Sequence, residues 1–324
     1  MKIRIAAIIL GVACVLSSCK EGGKKPNKPI EKPPVEKNYT LKFNADSAYQ
    51  YVKDQVDFGP RVPGSMEHGL AANYLYKQMK RLCDTALMQQ GSMPTGTGQT
   101  VAIKNIIGSF SPEKKQRVLL AAHWDTRPQA DEDKERPNSP ADGANDGASG
   151  VGVLIEMARQ FQMQKPDVGV DIIFFDAEDM GSNEGGQNSW CLGSQFWSKN
   201  LHLSGYDAKY GILLDMVGAP DAVFAFERNS VSSAEWLVKH VWRVGIGLGF
   251  NKYFVPFQGG YITDDHVFVT RGTGIPMIDI IHYDANNRNG FGSYWHTHED
   301  NMDVVSAETL KAVGLTVLKT VYEE

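Results

Sequence analysis

Val118-Leu119-Leu120-Ala121-Ala122-His123-Trp124-Asp125 is an apolar run that ends on a histidine and, two positions later, an aspartate. The same pattern returns at Ile172-Ile173-Phe174-Phe175-Asp176-Ala177-Glu178-Asp179 and at Ile212-Leu213-Leu214-Asp215. Short apolar runs without polar alternation fit strands buried on both faces. Charge at the mouth of such a strand costs several kcal/mol unless it is paired or bound to metal. A chain that repeats this arrangement, and adds Asp146, Asp264-Asp265 and His296, is building a metal site.

Working outward from these runs, strands are predicted at 117–122, 169–176 and 211–216, with a helix at 148–164 between the first two. That alternation predicts an α/β fold: one domain with a central, mostly parallel mixed β-sheet flanked by helices on both faces. Ligands of such open sheets sit beyond the carboxyl ends of the strands, where the acids fall. Upstream, Asn44–Val56 and Glu67–Cys83 read as helices, the second with Ala71, Leu75, Met79 and Leu82 on one face. Phe58 to Ser65, rich in proline and glycine, separates them. Strands near 85–90 and 100–110 are joined by a turn at Thr95-Gly96-Thr97-Gly98. A final helix over 306–322 would bury Leu310, Val313, Val317 and Val321.

The 324 residues, 42% hydrophobic and 10% aromatic, suffice for a substantial core, and a net charge of −5 argues against nucleic acid as a partner. Lys2 and Arg4 precede an apolar stretch from Ile5 to Leu16 that is too short to span a membrane. Leu16-Ser17-Ser18-Cys19 then resembles a bacterial lipobox. The expectation is a signal peptide over 1–18, a lipidated Cys19 opening a Pro/Lys-rich tether to residue 38, and a catalytic domain over 39–324 held at the cell envelope by its lipid anchor, in the periplasm or at the surface. Cys83 and Cys191 remain for the folded part, as a disulfide or as two free thiols.

His123 and Asp125, at i and i+2, point the same way from a strand. Asp146 sits in Asp142-Gly143-Ala144-Asn145-Asp146-Gly147, ahead of a helix that it could also cap. Adjacent Glu178 and Asp179 raise one another's pKa unless a cation intervenes, and a metal held by one leaves the other free to shuttle protons. Histidine and carboxylates without thiolates suit zinc. Nucleophilic alternatives lack support: there is no Gly-x-Ser-x-Gly elbow or P-loop, and Cys191 has no neighbouring base in sequence.

The ordered set His123-x-Asp125, Asp146-Gly147, Glu178-Asp179, Asp215 and His296-Thr297-x-x-Asp300 resembles the zinc aminopeptidase family and, within it, the glutaminyl cyclases (glutaminyl-peptide cyclotransferases). Phe58 to Ser65, Leu213 to Pro220, Thr263-Asp264-Asp265-His266 and Trp295-His296-Thr297 are similar to segments of the cyclase branch. The resemblance covers residues 45 to 322. It implies one zinc ion per chain on Asp146, Asp179 and His296, with Glu178 as general acid/base. It also implies a hydrogen-bonded acid network of Asp215 and Asp264 with Glu178, and Trp295 in the substrate pocket, with Trp190 a further pocket candidate. Asp179 stands where animal glutaminyl cyclases have glutamate. His123 and Asp215 match the positions that complete a second zinc site in the aminopeptidases. The implied reaction is closure of an N-terminal glutaminyl residue of a peptide or protein to pyroglutamyl with loss of ammonia. A two-zinc aminopeptidase and a binding module that has lost catalysis remain the alternatives.

Overall fold

The strands predicted to be buried on both faces are so because helices cover both. The structure, a computed structural model, describes residues 39–182 and 184–324, so the signal segment, Cys19 and the tether lie outside the described residues. The first elements are α1 (Ala45–Val56), α2 (Met66–Leu82), β1 (Thr85–Pro94), β2 (Thr100–Phe110), β3 (Arg117–His123), α3 (Ala148–Met163) and β4 (Gly169–Phe175). After these come α4 (Leu192–Lys199), β5 (Gly211–Asp215), β6 (Phe224–Phe226), α5 (Arg228–Gly247), β7 (Phe254–Gln258), α6 (Asp265–Thr273), β8 (Met277–Ile281) and α7 (Ala307–Tyr322). Most boundaries match the sequence reading within a residue or so. β1 is longer than expected, and everything from β6 to β8 went unforeseen.

The main sheet runs β1-β2-β4-β3-β5-β8. β4, β3, β5 and β8 are parallel neighbours, while β1 and β2 add antiparallel strands at one edge. This is the mixed, mostly parallel α/β sheet that the alternation predicts. Side-chain period two then sorts the apolar runs into two cores. Val118, Leu120, Ala122, Val170, Ile172, Phe174, Ile212 and Leu214 pack with residues of α1, α2, α3, α5 and α7. Leu119, Ala121, Ile173, Phe175 and Leu213 pack on the other face with Trp197 of α4 and Val269 of α6. On α7, Leu310, Val313, Val317 and Val321 are all fully buried, each burial worth roughly 1.5–3 kcal/mol. No helix among the described residues is long and apolar enough to cross a membrane.

The chain moves from β3 to β4 on one side and later to β5 on the other, so connections diverge at the carboxyl end of β3. That crevice is the natural ligand position of a doubly wound sheet.

Candidate active site and metal centre

Several segments around the crevice turn sharply in the backbone. Ala177, Met216, Cys191 and His296 all adopt left-handed φ, at 53°, 47°, 55° and 55°. For residues with a Cβ this conformation costs about 1–2 kcal/mol, and such strain gathers at functional sites. Here it turns Glu178 and Asp179 out of β4 and the chain away after Asp215, and it sets His296 itself. Gly147 follows the same logic at φ 79°: an added Cβ would lie 2.8 Å from both the ring and the carbonyl oxygen of His123.

The turns bring together residues far apart in sequence. Ligand atoms of Asp146, Asp179 and His296 all lie within 4.8 Å of one another and are buried. His296 Nε2 is 3.2 Å from Asp179 Oδ1 and 3.9 Å from Asp146 Oδ2. Asp179 Oδ2 is buried with no hydrogen-bond partner, an orphan that a cation would satisfy. Two carboxylates and one imidazole converging in this way fit a divalent ion of the zinc type. Asp146 does not cap α3: Gly147 occupies the cap position without a side-chain bond, leaving the Asp146 carboxylate to the histidines.

A second set of donors shares Asp146. His123 Nε2 lies 2.9 Å from Asp146 Oδ1 and 3.2 Å from Asp215 Oδ1, and these three form their own group within 4.8 Å. Burial alone would lower the His123 pKa, but Asp125, Asp146 and Asp215 hold it well above the usual value. His296 behaves likewise: burial opposes its charge, yet Asp179, Asp131 and Asp146 raise its pKa to about 9.

Glu178 stands on the other side of Asp179. Burial pushes its carboxyl well above the ordinary range; His123 opposes this, while Asp179, Asp264 and Asp265 add to it. Asp264 is raised to about 6, chiefly by burial and then by Asp215. The expected hydrogen-bonded network of Glu178, Asp215 and Asp264 takes a different form. Asp215 meets His123, Asp264 Oδ1 accepts from the Asp265 amide at 2.5 Å, and Asp264 Oδ2 has no partner. Charge links the three acids in sequence: Asp215 acts on Asp264, and Asp264 on Glu178. Glu178 Oε1 instead accepts from the Cys191 thiol at 3.1 Å. Burial, with Glu178 beside it, pushes that thiol well above its usual pKa, which favours the protonated form that donates to Glu178. Cys83 and Cys191 are both free.

Backbone clamps hold the ligand loops. Asp125 accepts from the amides of Glu178 and Asp179 at 3.0 and 3.2 Å, and Asp300 does the same for Asn145 and Asp146 at 2.7 and 3.1 Å. Fully buried Arg61 donates to the carbonyls of Trp124, Asp142 and Gly143. Its sequence context, between two prolines, signals only a turn. The clamping roles of Arg61, Asp125, Asp300 and Cys191 depend on contacts across the fold that no local pattern announces.

The cavity above these groups has a volume of about 440 Å³, and its lining includes Asp146, Glu178, Asp179, Trp190, Asp264, Tyr261, Phe291, Trp295 and His296. Trp295 stacks on His296 with ring centroids 3.5 Å apart, and Phe291 packs on Trp295 at 4.7 Å. Trp190 lies nearly parallel to His296 at 6.2 Å. Both tryptophans of the sequence reading therefore border the cavity. Acid donors on one wall and aromatic rings on the other favour a small polar head with an apolar flank.

The model of peptidase family M28 matches residues 105–321. The chain belongs to peptidase family M28. Within this M28 fold, a Zn-dependent exopeptidase from Parabacteroides distasonis is 49% identical with a TM-score of 0.86, covering 88% of this chain and 100% of that one. A Tannerella forsythia glutaminyl cyclase is also 49% identical, with a TM-score of 0.85, covering 87% and 99% of the two chains. The glutaminyl-peptide cyclotransferase of Drosophila melanogaster is 24% identical over 282 residues, 80% of this chain and 75% of that protein.

Proposed function

We propose that this M28 chain is a glutaminyl-peptide cyclotransferase that closes N-terminal glutaminyl residues to pyroglutamyl and releases ammonia. The observation that carries the reading is the placement of Glu178, beside but outside the Asp146–Asp179–His296 donor set, at the floor of a cavity walled by Trp295. Likeness to glutaminyl cyclases at 49% identity over nearly their whole length supports it.

Asp146, Asp179 and His296 would hold one zinc ion per chain, which when bound supplies Lewis-acid polarisation of the substrate's side-chain amide. Trp295 and Phe291 pack the glutaminyl side chain so that it folds back toward its own α-amine. The reaction is intramolecular, and this positioning is a large part of what the protein contributes. Glu178 accepts a proton from the α-amine as its nitrogen attacks the amide carbon, then gives that proton to the departing ammonia. Cys191 keeps the Glu178 carboxylate in place through its S–H bond. Asp264 lies beside Glu178, and its charge helps to raise the Glu178 pKa.

The completeness of the His123–Asp146–Asp215 group favours one alternative, a two-metal aminopeptidase. Comparing kcat/KM for glutaminyl and leucyl dipeptide amides decides between them. Cyclisation with ammonia release and about one zinc per chain supports the cyclase; release of free leucine with two metals overturns it.

We also propose that the chain is a lipoprotein of the bacterial envelope anchored through Cys19, a reading that rests on basic Lys2 and Arg4, the apolar stretch from Ile5 to Leu16, and Leu16-Ser17-Ser18-Cys19. Labelling with a fatty-acid probe that is lost in Cys19→Ala supports it. Unlabelled wild-type chain in the aqueous fraction overturns it.

A further inference from the structure

Arg127 lies two residues after Asp125, is 7% exposed, and coordinates no proposed substrate or metal atom. All three of its guanidinium nitrogens are engaged. Nη1 donates to the carbonyls of Asp179 and Gly181 at 2.8 and 2.7 Å. Nε and Nη2 form a fork onto Asp131, at 3.1 and 2.7 Å. The same Asp131 Oδ1 lies 2.9 Å from His296 Nδ1, the ring nitrogen turned away from the donor set, at ion-pair distance though off the line of a straight hydrogen bond. Finally, the guanidinium plane sits 4.7 Å from the centre of the Trp190 ring.

We propose that Arg127 is a positioning residue that ties metal affinity to the shape of the substrate pocket, acting on His296 through Asp131 and on substrate through Trp190. The inference rests on Asp146, Asp179 and His296 being the metal ligands. A carboxylate on the distal nitrogen of a metal-binding histidine fixes the ring's tautomer and orientation, and losing it typically weakens binding about 10–100-fold. Asp131 is itself 44% exposed on its side chain, so without a second tether it would swing into solvent. The Arg127 fork removes that freedom, and only a guanidinium offers two parallel donors with further donors left for carbonyls. The carbonyl of Asp179 that it holds belongs to a ligand. The carbonyl of Gly181 belongs to the residue against which the Trp190 indole packs so closely that no Cβ would fit. One side chain therefore sets a histidine ligand, the turn bearing a carboxylate ligand, and a pocket wall.

The test is zinc affinity by competition with a fluorescent chelator, with kcat and KM on glutaminyl-phenylalanine amide at saturating zinc, for Arg127→Lys, Asp131→Asn and the double variant. Asp131→Asn should lose about 10–100-fold in zinc affinity with KM unchanged once zinc is restored. Arg127→Lys should lose a similar factor and also raise KM severalfold. The double variant should bind zinc no more weakly than Arg127→Lys alone, because the two act on one path. Wild-type zinc affinity in Arg127→Lys, or losses that simply add, would overturn the proposal and leave Arg127 a scaffold residue. Should Arg127→Lys fail to fold, Asp131→Asn decides alone: undiminished affinity there overturns the path to His296. A wild-type chain that binds no zinc disposes of the ligand assignment instead, a result distinguishable from either of these.

Discussion

Glu178→Gln isolates proton transfer from everything else in the site. The amide is nearly isosteric, and its oxygen accepts the Cys191 thiol at the 3.1 Å now seen for Glu178 Oε1. The backbone bond from Glu178 to Asp125 is untouched, and so are Asp146, Asp179 and His296. What disappears is a carboxylate able to take and return a proton. General acid–base catalysis is worth about 10²–10⁴-fold, which at 1.36 kcal/mol per tenfold is roughly 2.7–5.4 kcal/mol of barrier. The charge cluster also predicts the sign on stability. Burial disfavours the Glu178 charge, and the repulsion of Asp179, Asp264 and Asp265 adds to this against the attraction of His123, so neutralising it should leave the melting temperature unchanged or raise it. The assay is ammonia release coupled to glutamate dehydrogenase, with zinc content by mass spectrometry and unfolding by calorimetry on the same samples. The expected result is kcat down at least about 100-fold with zinc retained. A folded, zinc-loaded Glu178→Gln chain within about threefold of wild-type kcat refutes Glu178 as the proton carrier.

Other perturbations test the framework around the site. Arg61→Met strips three carbonyls of their donor and leaves Asp300 and Asp125 without their buried cation. The expected loss is about 3–5 kcal/mol by urea titration, and a loss below about 1 kcal/mol would make that clamp ornamental. Gly147→Ala places a methyl group against His123 in a left-handed conformation. It should cost at least about 1–2 kcal/mol and weaken zinc binding; a stable variant with native affinity would show that the turn tolerates side chains. Asp171 is pushed up by burial but pulled lower by His202, Arg117 and Ser109, to about 2 from an ordinary 3.8. Because the folded value is the depressed one, its contribution of about 2 kcal/mol is complete well above pH 4 and is lost as pH falls toward 2. Urea stability of wild type should therefore fall more between pH 6 and pH 3 than that of Asp171→Asn. Parallel curves would remove Asp171 from the acid response.

The frame of the fold was legible because burial on both faces writes itself locally. β3, β4 and β5 each hold an unbroken apolar run of three to five residues, and helix faces such as Ala71-Leu75-Met79-Leu82 repeat at helical spacing. From β6 to β8 that signal weakens for the strands. β6 is three residues long, and β8 carries Asp279 at its centre, fully buried, with His266 3.8 Å away and neither carboxylate oxygen hydrogen-bonded. α5 carries the helical signal, with Leu237, Val238, Val241 and Trp242 in a buried stripe, yet it too went unforeseen.

From the sequence alone came the acids at strand ends, and hence the crevice where chemistry must sit, because a charge beside an apolar strand demands a partner. Tertiary structure alone decided which group each acid meets. Asp300 clamps amides 155 and 154 residues away, the Cys191 thiol turns to Glu178, and Arg127 reaches His296 through Asp131. Periodicity is a local consequence of burial and survives in the linear chain. Hydrogen-bond partners across the crevice depend on left-handed turns and rotamers that exist only once both faces of the sheet are packed.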